Sequence, residues 1–540
     1  MRTKFIVVVG TLLSGLGKGG ITSSILKMLD LRGYRALPLK FDGYLNYDCG
    51  TMNPFRHGEV FVLDDKSEVD MDFGMYERFL NMSLIGNLSI TGGKLFSSVI
   101  EKERRGEYLG EDVQIIPHLT NEIIGRIEAV AAKERPDVLV IEVGGTVGDI
   151  ENSYFIEAMR QMSSKHDVAF VNLTYVPEID AVGEQKTKPT QIGVRSLMQL
   201  GIRPDVIVCR SEKPLLERTK EKIALYAGVD RRQVIDDSTQ HTVYGLPGHF
   251  MTQGMDRMLL ERLGVEPRSV DRGRLAKWNR LVGRTTSPNR SICIALVGKY
   301  TTLKDAYASV TEALVHAGVA NNVRVNVKFI DSTDFEGGAG KMAALEGVDG
   351  VVVPGGFGKR GIEGMIAAIR HCREMGIPYL GLCLGMQLMV VEYARNVCGL
   401  RDANSSEFEK NPRHNVIDLM AAQRGVKRIG GSMRLGLWPA KVKSGTMTYE
   451  AYGAGVVKER HRHRYEVNNS YRNILEKHGL IVSATTVDGQ LVETVEWSGT
   501  YGIGTQAHPE FTSRLESPNL LFVDFVKRSS LHGDAHAGAR

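Results

Sequence analysis

The chain has 540 residues, 42% hydrophobic and 24% charged, with 68 Lys and Arg against 63 Asp and Glu. That length exceeds a single hydrophobic core and implies about two to four domains. A net charge of +5 excludes the basic footprint of a nucleic-acid binder, and no apolar run approaches the roughly twenty residues that span a bilayer.

Arg2 and Lys4 precede the apolar run Phe5 to Leu13, which imitates a secretion signal. The run lacks a small-residue cleavage site and passes directly into Ser14-Gly-Leu-Gly-Lys-Gly19, so it is expected to be a buried first strand. Together with six scattered cysteines and no C-x-x-C pair, this points to a cytoplasmic protein. Glycines turn backbone N–H groups toward phosphate oxygens, a helix beginning near Ile21 offers its positive end, and Lys18 adds a cation. The motif is not a strict Walker A, since Gly19 stands where Ser or Thr would touch magnesium.

Further apolar runs at Val138 to Val143, Val168 to Leu173 and Val206 to Cys209 predict parallel strands, with Asn121 to Arg135 as an intervening helix. Carboxylates must hold the Mg²⁺ that accompanies ATP. The candidates are Asp72, in Asp70-Met-Asp-Phe-Gly74, and Glu142, which closes a buried strand. The first domain is assigned to residues 1–270 and a polar linker to 271–290. Strand and helix alternation then restarts at Ile292, so the second domain is assigned to 291–531 and a disordered tail to 532–540.

In the second domain, Ile377-Pro-Tyr-Leu-Gly-Leu-Cys383-Leu-Gly-Met-Gln387 runs a strand into G-x-C-x-G. This is the nucleophile-elbow pattern with sulfur in place of oxygen. Its sharp turn needs the small neighbours Gly381 and Gly385, and the helix N-terminus favours a thiolate. Downstream, Gln506-Ala-His508-Pro-Glu510 supplies an imidazole and an acid to orient it. Upstream, the turn at Gly355-Gly356 offers an N–H that, with that of Leu384, makes an oxyanion hole.

With those motifs in place, the whole chain resembles the CTP synthase family. The resemblance is carried by Gly50-Thr-Met-Asn-Pro-Phe-Arg-His-Gly-Glu-Val-Phe-Val62, Lys102 to Gly110, Glu142 to Glu151, Lys186 to Gln191 and Glu459 to Asn468. It implies an α/β architecture: a dethiobiotin-synthetase-like phosphate-loop domain followed by a class I glutamine amidotransferase domain. It also implies a ligase that uses ATP to phosphorylate UTP and displaces the phosphate with ammonia from glutamine. By matching position, ATP falls to Gly15, Leu16, Gly17, Lys18, Gly19, Gly20, Lys40 and Asp72, and Mg²⁺ to Asp72 and Glu142. UTP, or CTP as feedback inhibitor, falls to Ser14, Asp149, Ile150, Glu151, Lys186, Thr187, Lys188, Pro189, Thr190, Gln191 and Lys222. Glutamine falls to Gly356, Leu384, Gly385, Met386, Gln387, Glu407 and Arg464, with hydrolysis by Cys383, His508 and Glu510. An ammonia gate falls to Pro54, His57 and Val60. GTP activation with contacts at Arg360 and Arg434, and a homotetramer, come from the resemblance alone.

The chain departs from the family in places. Gly43 and Cys49 stand where prolines are usual, which frees the unfolded chain and loosens this loop by about 0.4–1 kcal/mol each. Thr11 replaces a second glycine, and Ser238-Thr-Gln-His241 stands where acids flank the adenine and ribose.

Overall fold

The computed structural model describes residues 2–179, 183–288, 290–301, 303–336, 339–420, 423 and 431–537. The chain forms two compact units. The first comprises Met1–Asp48, Met75–Met82 and Asn87–Thr286, and the second Cys49–Gly74, Ser83–Gly86 and the chain from Ser287 onward.

The first unit is built on β1 (Lys4–Gly10), β2 (Ala36–Asp42), β3 (Ser89–Thr91), β4 (Val138–Val143), β5 (Val168–Tyr175), β6 (Val206–Ser211) and β7 (Val234–Ser238). Their order is β7-β6-β5-β1-β4-β2-β3, with every pair parallel. The Val- and Ile-rich strands are buried on both faces, as continuous apolar runs require. Helix α1 (Lys18–Leu31) begins three residues earlier than the sequence suggests, so Lys18 is its first residue.

The stretch 271–290 is not a linker among the described residues, which exclude Asn289. It forms α2 (Arg272–Thr286), a helix of the first unit. Its Trp278 is 1% exposed, donates Nε1–H to the Tyr244 carbonyl at 3.1 Å, and lies under the Lys27 ammonium. Trp278 is its apolar anchor, and Arg274 adds an ion pair to Asp30 and a hydrogen bond to the Asp30 carbonyl.

The second unit's main sheet comprises β8 (Arg290–Gly298), β9 (Val323–Asp331), β10 (Gly350–Val353), β11 (Tyr379–Leu382), β12 (Arg434–Val442), β13 (Val456–His463), β14 (Ile481–Thr486), β15 (Val492–Glu496) and β16 (Gly502–Thr505). The order is β9-β8-β10-β11-β16-β15-β14-β12-β13. Pairing is parallel from β9 through β16 and antiparallel beyond it. Nucleophile and histidine therefore leave adjacent parallel strands, β11 and β16. The tail expected to be disordered instead continues the C-terminal helix, Leu520–Ala537. Residues 538–540 lie outside the described residues. Its Phe522, Phe525 and Val526 are fully buried, and Gly533 packs on Asp349, closer than any side chain allows.

Candidate active sites

In the first unit, Gly15 and Gly17 have φ of 74° and 95°, and Leu12, with φ of 77°, shares the left-handed region that glycine tolerates best. The Lys18 side chain folds back across Gly10, where an added Cβ would stand 3.2 Å from its Nζ, and donates to the Gly145 carbonyl at 2.6 Å. Lys40 and Glu142 are register partners on β2 and β4. Both are buried, with Lys40 Nζ 4.0 Å from Glu142 Oε1 and 3.9 Å from Asp42 Oδ1, while Tyr76 donates to Glu142 Oε2 at 2.6 Å. Asp72 belongs to the second unit, at the start of the helix Asp72–Leu80, and its N–H bonds Asp70 Oδ1. No group of three or more His, Cys, Asp or Glu forms a metal cage among the described residues. Mg²⁺ needs none, because it takes one or two carboxylates and fills its shell with phosphate and water; Glu142 fits that donor set.

Of the residues assigned to UTP, Ser14 is exposed in the loop, and Asp149 heads the turn Ile150–Asn152, accepting the Thr146 N–H at 2.9 Å. Ile150 and Glu151 are exposed in that turn. Lys186 pairs with Glu184 at 2.5 Å. That hydrogen bond, with the charges of Lys186, Arg218 and Lys222, holds the Glu184 carboxyl below its ordinary range. Lys188 and Pro189 open the helix Lys188–Gln199. Thr190 is fully buried and donates to the Tyr175 carbonyl at 3.0 Å, at the start of that helix. Gln191 likewise donates to Thr187. Near Ser238 to His241 the acids are Asp236 and Asp237 on β7. Burial pushes Asp237 up to about 7 against the pull of Arg210, and His249 pairs with Asp236.

The loop expected to be loosened by Gly43 is instead tied down. A Cβ at Gly43 would meet the Asn152 side chain and the Glu151 carbonyl within 3 Å, so only glycine fits there. Thr91 also donates to the Tyr47 carbonyl at 2.9 Å.

In the second unit, Cys383 has φ 51° and ψ −97°, the strained conformation of an elbow, directly before α3 (Leu384–Asn396). The flanking glycines are forced. A Cβ at Gly385 would stand 2.1 Å from the Val353 carbonyl, and one at Gly381 would stand 2.7 Å from both Gly385 and the Tyr379 hydroxyl. Cys383 N–H bonds the Thr505 carbonyl on β16 at 2.7 Å. His508 follows that strand; its Nδ1 lies 2.7 Å from Glu510 Oε1, and its backbone N–H bonds the Arg460 carbonyl on β13. Its Nε2 is buried with no hydrogen-bond partner among the described residues. Burial opposes charge on His508, but its interactions with Glu510 and Cys383 outweigh it and raise the imidazole to about 10.

Gly355 and Gly356 stand opposite. A Cβ on Gly355 would reach 2.8 Å from His508 Cε1, and one on Gly356 would touch Leu384 at 3.5 Å. Gln387 donates to the Tyr465 carbonyl and to Gln506, whose own amide reaches Cys383 Sγ at 3.6 Å. Glu407 accepts the Gly358 N–H at 3.0 Å, and burial raises its carboxyl. Met386 is buried within α3, and Arg464 is engaged by Gln423 and Ser432.

One pocket holds Cys383, His508, Glu510 and Gly356, and its wall includes Pro54, Glu59 and Val60. His57 is exposed and is not part of that wall. The segment 54–68 is fastened within the second unit by charge. Glu59 caps the helix Ala308–Asn321 through the Ser309 N–H at 2.8 Å, Arg460 pairs with Asp64 at 2.6 Å, and Arg462 pairs with Glu68 at 2.8 Å. Arg434, expected to contact an effector, is instead buried between Glu466 and Glu493, at 3.2 and 2.6 Å, beside the fully buried pair His461 and His463. A buried guanidinium between two acids is spent on internal neutralisation. Arg360 is exposed and pairs with Asp331.

Sequence reasoning did not single out Gln506 or Arg462, whose side-chain amide and backbone carbonyl face Cys383 Sγ at 3.6 and 3.9 Å. Gln506 precedes the His-x-Glu motif by two residues, and that proximity was the available signal; Arg462 comes from a strand distant in sequence.

A cysteine at a strained elbow beside a histidine–glutamate pair is the arrangement that opens a carboxamide, and it defines the second unit as a glutamine amidotransferase. Residues 302–528 match the family model described as glutamine amidotransferase class-I, and residues 4–265 match CTP synthase N-terminus. The chain is 48% identical to the CTP synthase of Carboxydothermus hydrogenoformans over 531 residues, 98% of each chain. It is 50% identical to that of Symbiobacterium thermophilum over 532 residues, 97% of this chain and 98% of that one. A solved glutaminase domain of Trypanosoma brucei CTPS, with bound acivicin, is 39% identical, with a TM-score of 0.42 and coverage of 44% of this chain and 94% of that one. The chain belongs to the CTP synthase family.

Proposed function

We propose that this ligase converts UTP to CTP in two half-reactions, glutamine hydrolysis at Cys383 and ATP-dependent activation of the uracil O4 at the phosphate loop. Ammonia passes between them beside Pro54 and Val60. The observation that carries the reading is the pocket in which the Cys383–His508–Glu510 set shares a wall with the segment 54–60.

The thiolate of Cys383 adds to the carboxamide carbon of glutamine, and the N–H groups of Gly356 and Leu384 receive the oxyanion; that of Leu384 has no intrahelical partner. The C–N bond breaks as the His508 imidazolium gives its proton to the departing ammonia, leaving a thioester. Neutral His508 then takes a proton from water, which attacks the thioester and releases glutamate. Glu407 receives the ammonium of glutamine and Arg464 its carboxylate. In the other half-reaction, phosphoryl transfer from ATP turns the uracil oxygen into a leaving group, ammonia adds at C4, and phosphate departs. Lys18 and Lys40 neutralise the charge of the transferring group, and the loop N–H groups of 15–20 hold the phosphates. Glu142 with Asp72 would hold Mg²⁺, which when bound neutralises phosphate charge. Lys186, Lys188 and Lys222 hold the triphosphate of UTP, with Asp149 and Glu151 toward its base and sugar.

The same reading carries GTP as activator, CTP as feedback inhibitor, a homotetramer and a cytoplasmic location. No helix among the described residues is long and apolar enough to cross a membrane.

The test follows the absorbance change from uracil to cytosine with UTP, ATP and either glutamine or ammonium chloride. CTP is expected from both nitrogen sources, with one glutamate per CTP from glutamine. No CTP from ammonia would overturn the reading.

A further inference from the structure

Lys299 follows β8, is 2% exposed, and takes no part in the chemistry above. Its Nζ donates to the carbonyls of Phe357 (3.3 Å) and Gly358, and lies 5.5 Å over the Phe408 ring. From the other side of the same turn, Glu407 accepts the Gly358 N–H, and the Tyr300 hydroxyl accepts the Phe357 N–H at 3.3 Å. The clamp is itself fixed. The Tyr307 hydroxyl accepts the N–H groups of Lys299 and Tyr300 at 2.9 and 3.2 Å, in space that any Cβ on Gly298 would fill.

A buried ammonium is costly unless it is paired and hydrogen-bonded. Here burial brings Lys299 down to about 8, with the Glu407 charge opposing that shift. Such a group is retained for what it holds. The Gly355-Gly356 pair just before the clamp has no side chains to limit peptide rotation, yet the oxyanion hole needs the Gly356 N–H fixed beside Leu384 before reaction.

We infer that Lys299 is a positioning residue for the oxyanion hole: by gripping the Phe357 and Gly358 carbonyls it fixes the Gly355–Gly356 peptide against Cys383. The inference rests on Cys383 being the nucleophile, and the test separates the two. Lys299→Met and Lys299→Arg are compared with the unaltered enzyme in four measurements. These are glutamine hydrolysis, ammonia-dependent CTP formation, alkylation of Cys383 by iodoacetamide, and inhibition by the γ-aldehyde analogue of glutamine. The aldehyde adds to the thiolate and places an alkoxide in the hole; alkylation creates no such charge.

For Lys299→Met, kcat for glutamine falls about 10²-fold and aldehyde affinity falls by a similar factor. KM for glutamine, the alkylation rate and ammonia-dependent synthesis stay within about threefold. Lys299→Arg, which keeps the donors, recovers most of both losses. Unchanged kcat and aldehyde affinity would overturn the inference. So would a parallel fall in alkylation, which would mean the nucleophile itself is disturbed, or a loss of ammonia-dependent synthesis, which would mean the amine holds the fold. Separately, alkylated Cys383 that still hydrolysed glutamine would sink the nucleophile assignment.

Discussion

At Cys383 the protein supplies every partner: the imidazolium comes from His508, its counter-charge from Glu510, and the strained backbone from Gly381 and Gly385. At the phosphate loop, by contrast, Lys18 and Lys40 are engaged with oxygens of the chain, the Gly145 carbonyl and the carboxylates of Asp42 and Glu142. Acyl transfer creates its charges on atoms that touch protein, so the site can be finished by folding. Phosphoryl transfer brings its charges with the nucleotide, so in the proposed reaction the same lysines would exchange protein oxygens for phosphate oxygens. On the proposed reading one site is pre-organised and the other is completed by ligand.

The sharpest way to break this comparison is Cys383→Ala. Glutamine-dependent CTP formation should fall by at least about 10⁴-fold, while synthesis from ammonium chloride stays within about twofold. Equal losses from both nitrogen sources in a folded protein would remove the division of labour. Next is Lys18→Ala, expected to lower CTP formation from either source by about 10³-fold while glutamine is still hydrolysed. A variant that still made CTP from ammonia at the original rate would refute the phosphate-loop role.

Glu510→Gln sharpens the first half of the contrast, at about 10²–10³-fold in glutaminase kcat. It also moves the pH profile. His508 is raised to about 10, so its ion pairs contribute stability that is full below the imidazole's ordinary pKa and is lost as pH rises through about 10. Without the Glu510 charge, the alkaline fall of glutaminase activity should begin at lower pH. An unmoved limb would show that another group sets it.

Val60→Phe should leave glutamine hydrolysis within a few fold but lower CTP formed per glutamate, with free ammonia in solution. One-to-one yields would mean that Val60 lines the pocket without gating it. The smallest effect belongs to Tyr76→Phe. Removing the donor to the buried Glu142 carboxylate should cost about 1.5–3 kcal/mol of stability, read as a lower urea midpoint with unchanged slope.

By itself the sequence determined what depends on neighbours along the chain. The phosphate loop, the parallel strands of both sheets and the cysteine elbow were legible because glycine spacing, apolar runs and a strand-to-helix turn are local rules. The pairing of Cys383 with His508 was legible as chemistry, although it spans more than a hundred residues, because few other arrangements of those side chains do anything. Only the tertiary structure decided the rest. Residues 49–74 join the second unit, not the domain that surrounds them in sequence, because Glu59, Asp64 and Glu68 find their partners at Ser309, Arg460 and Arg462. Arg434 reads as a surface cation until two distant glutamates enclose it. Lys299 reads as a solvated lysine after a strand until the Phe357–Gly358 turn closes over it. A charge's role depends on which opposite charge and which carbonyl the fold brings to it, and composition and periodicity carry no information about that.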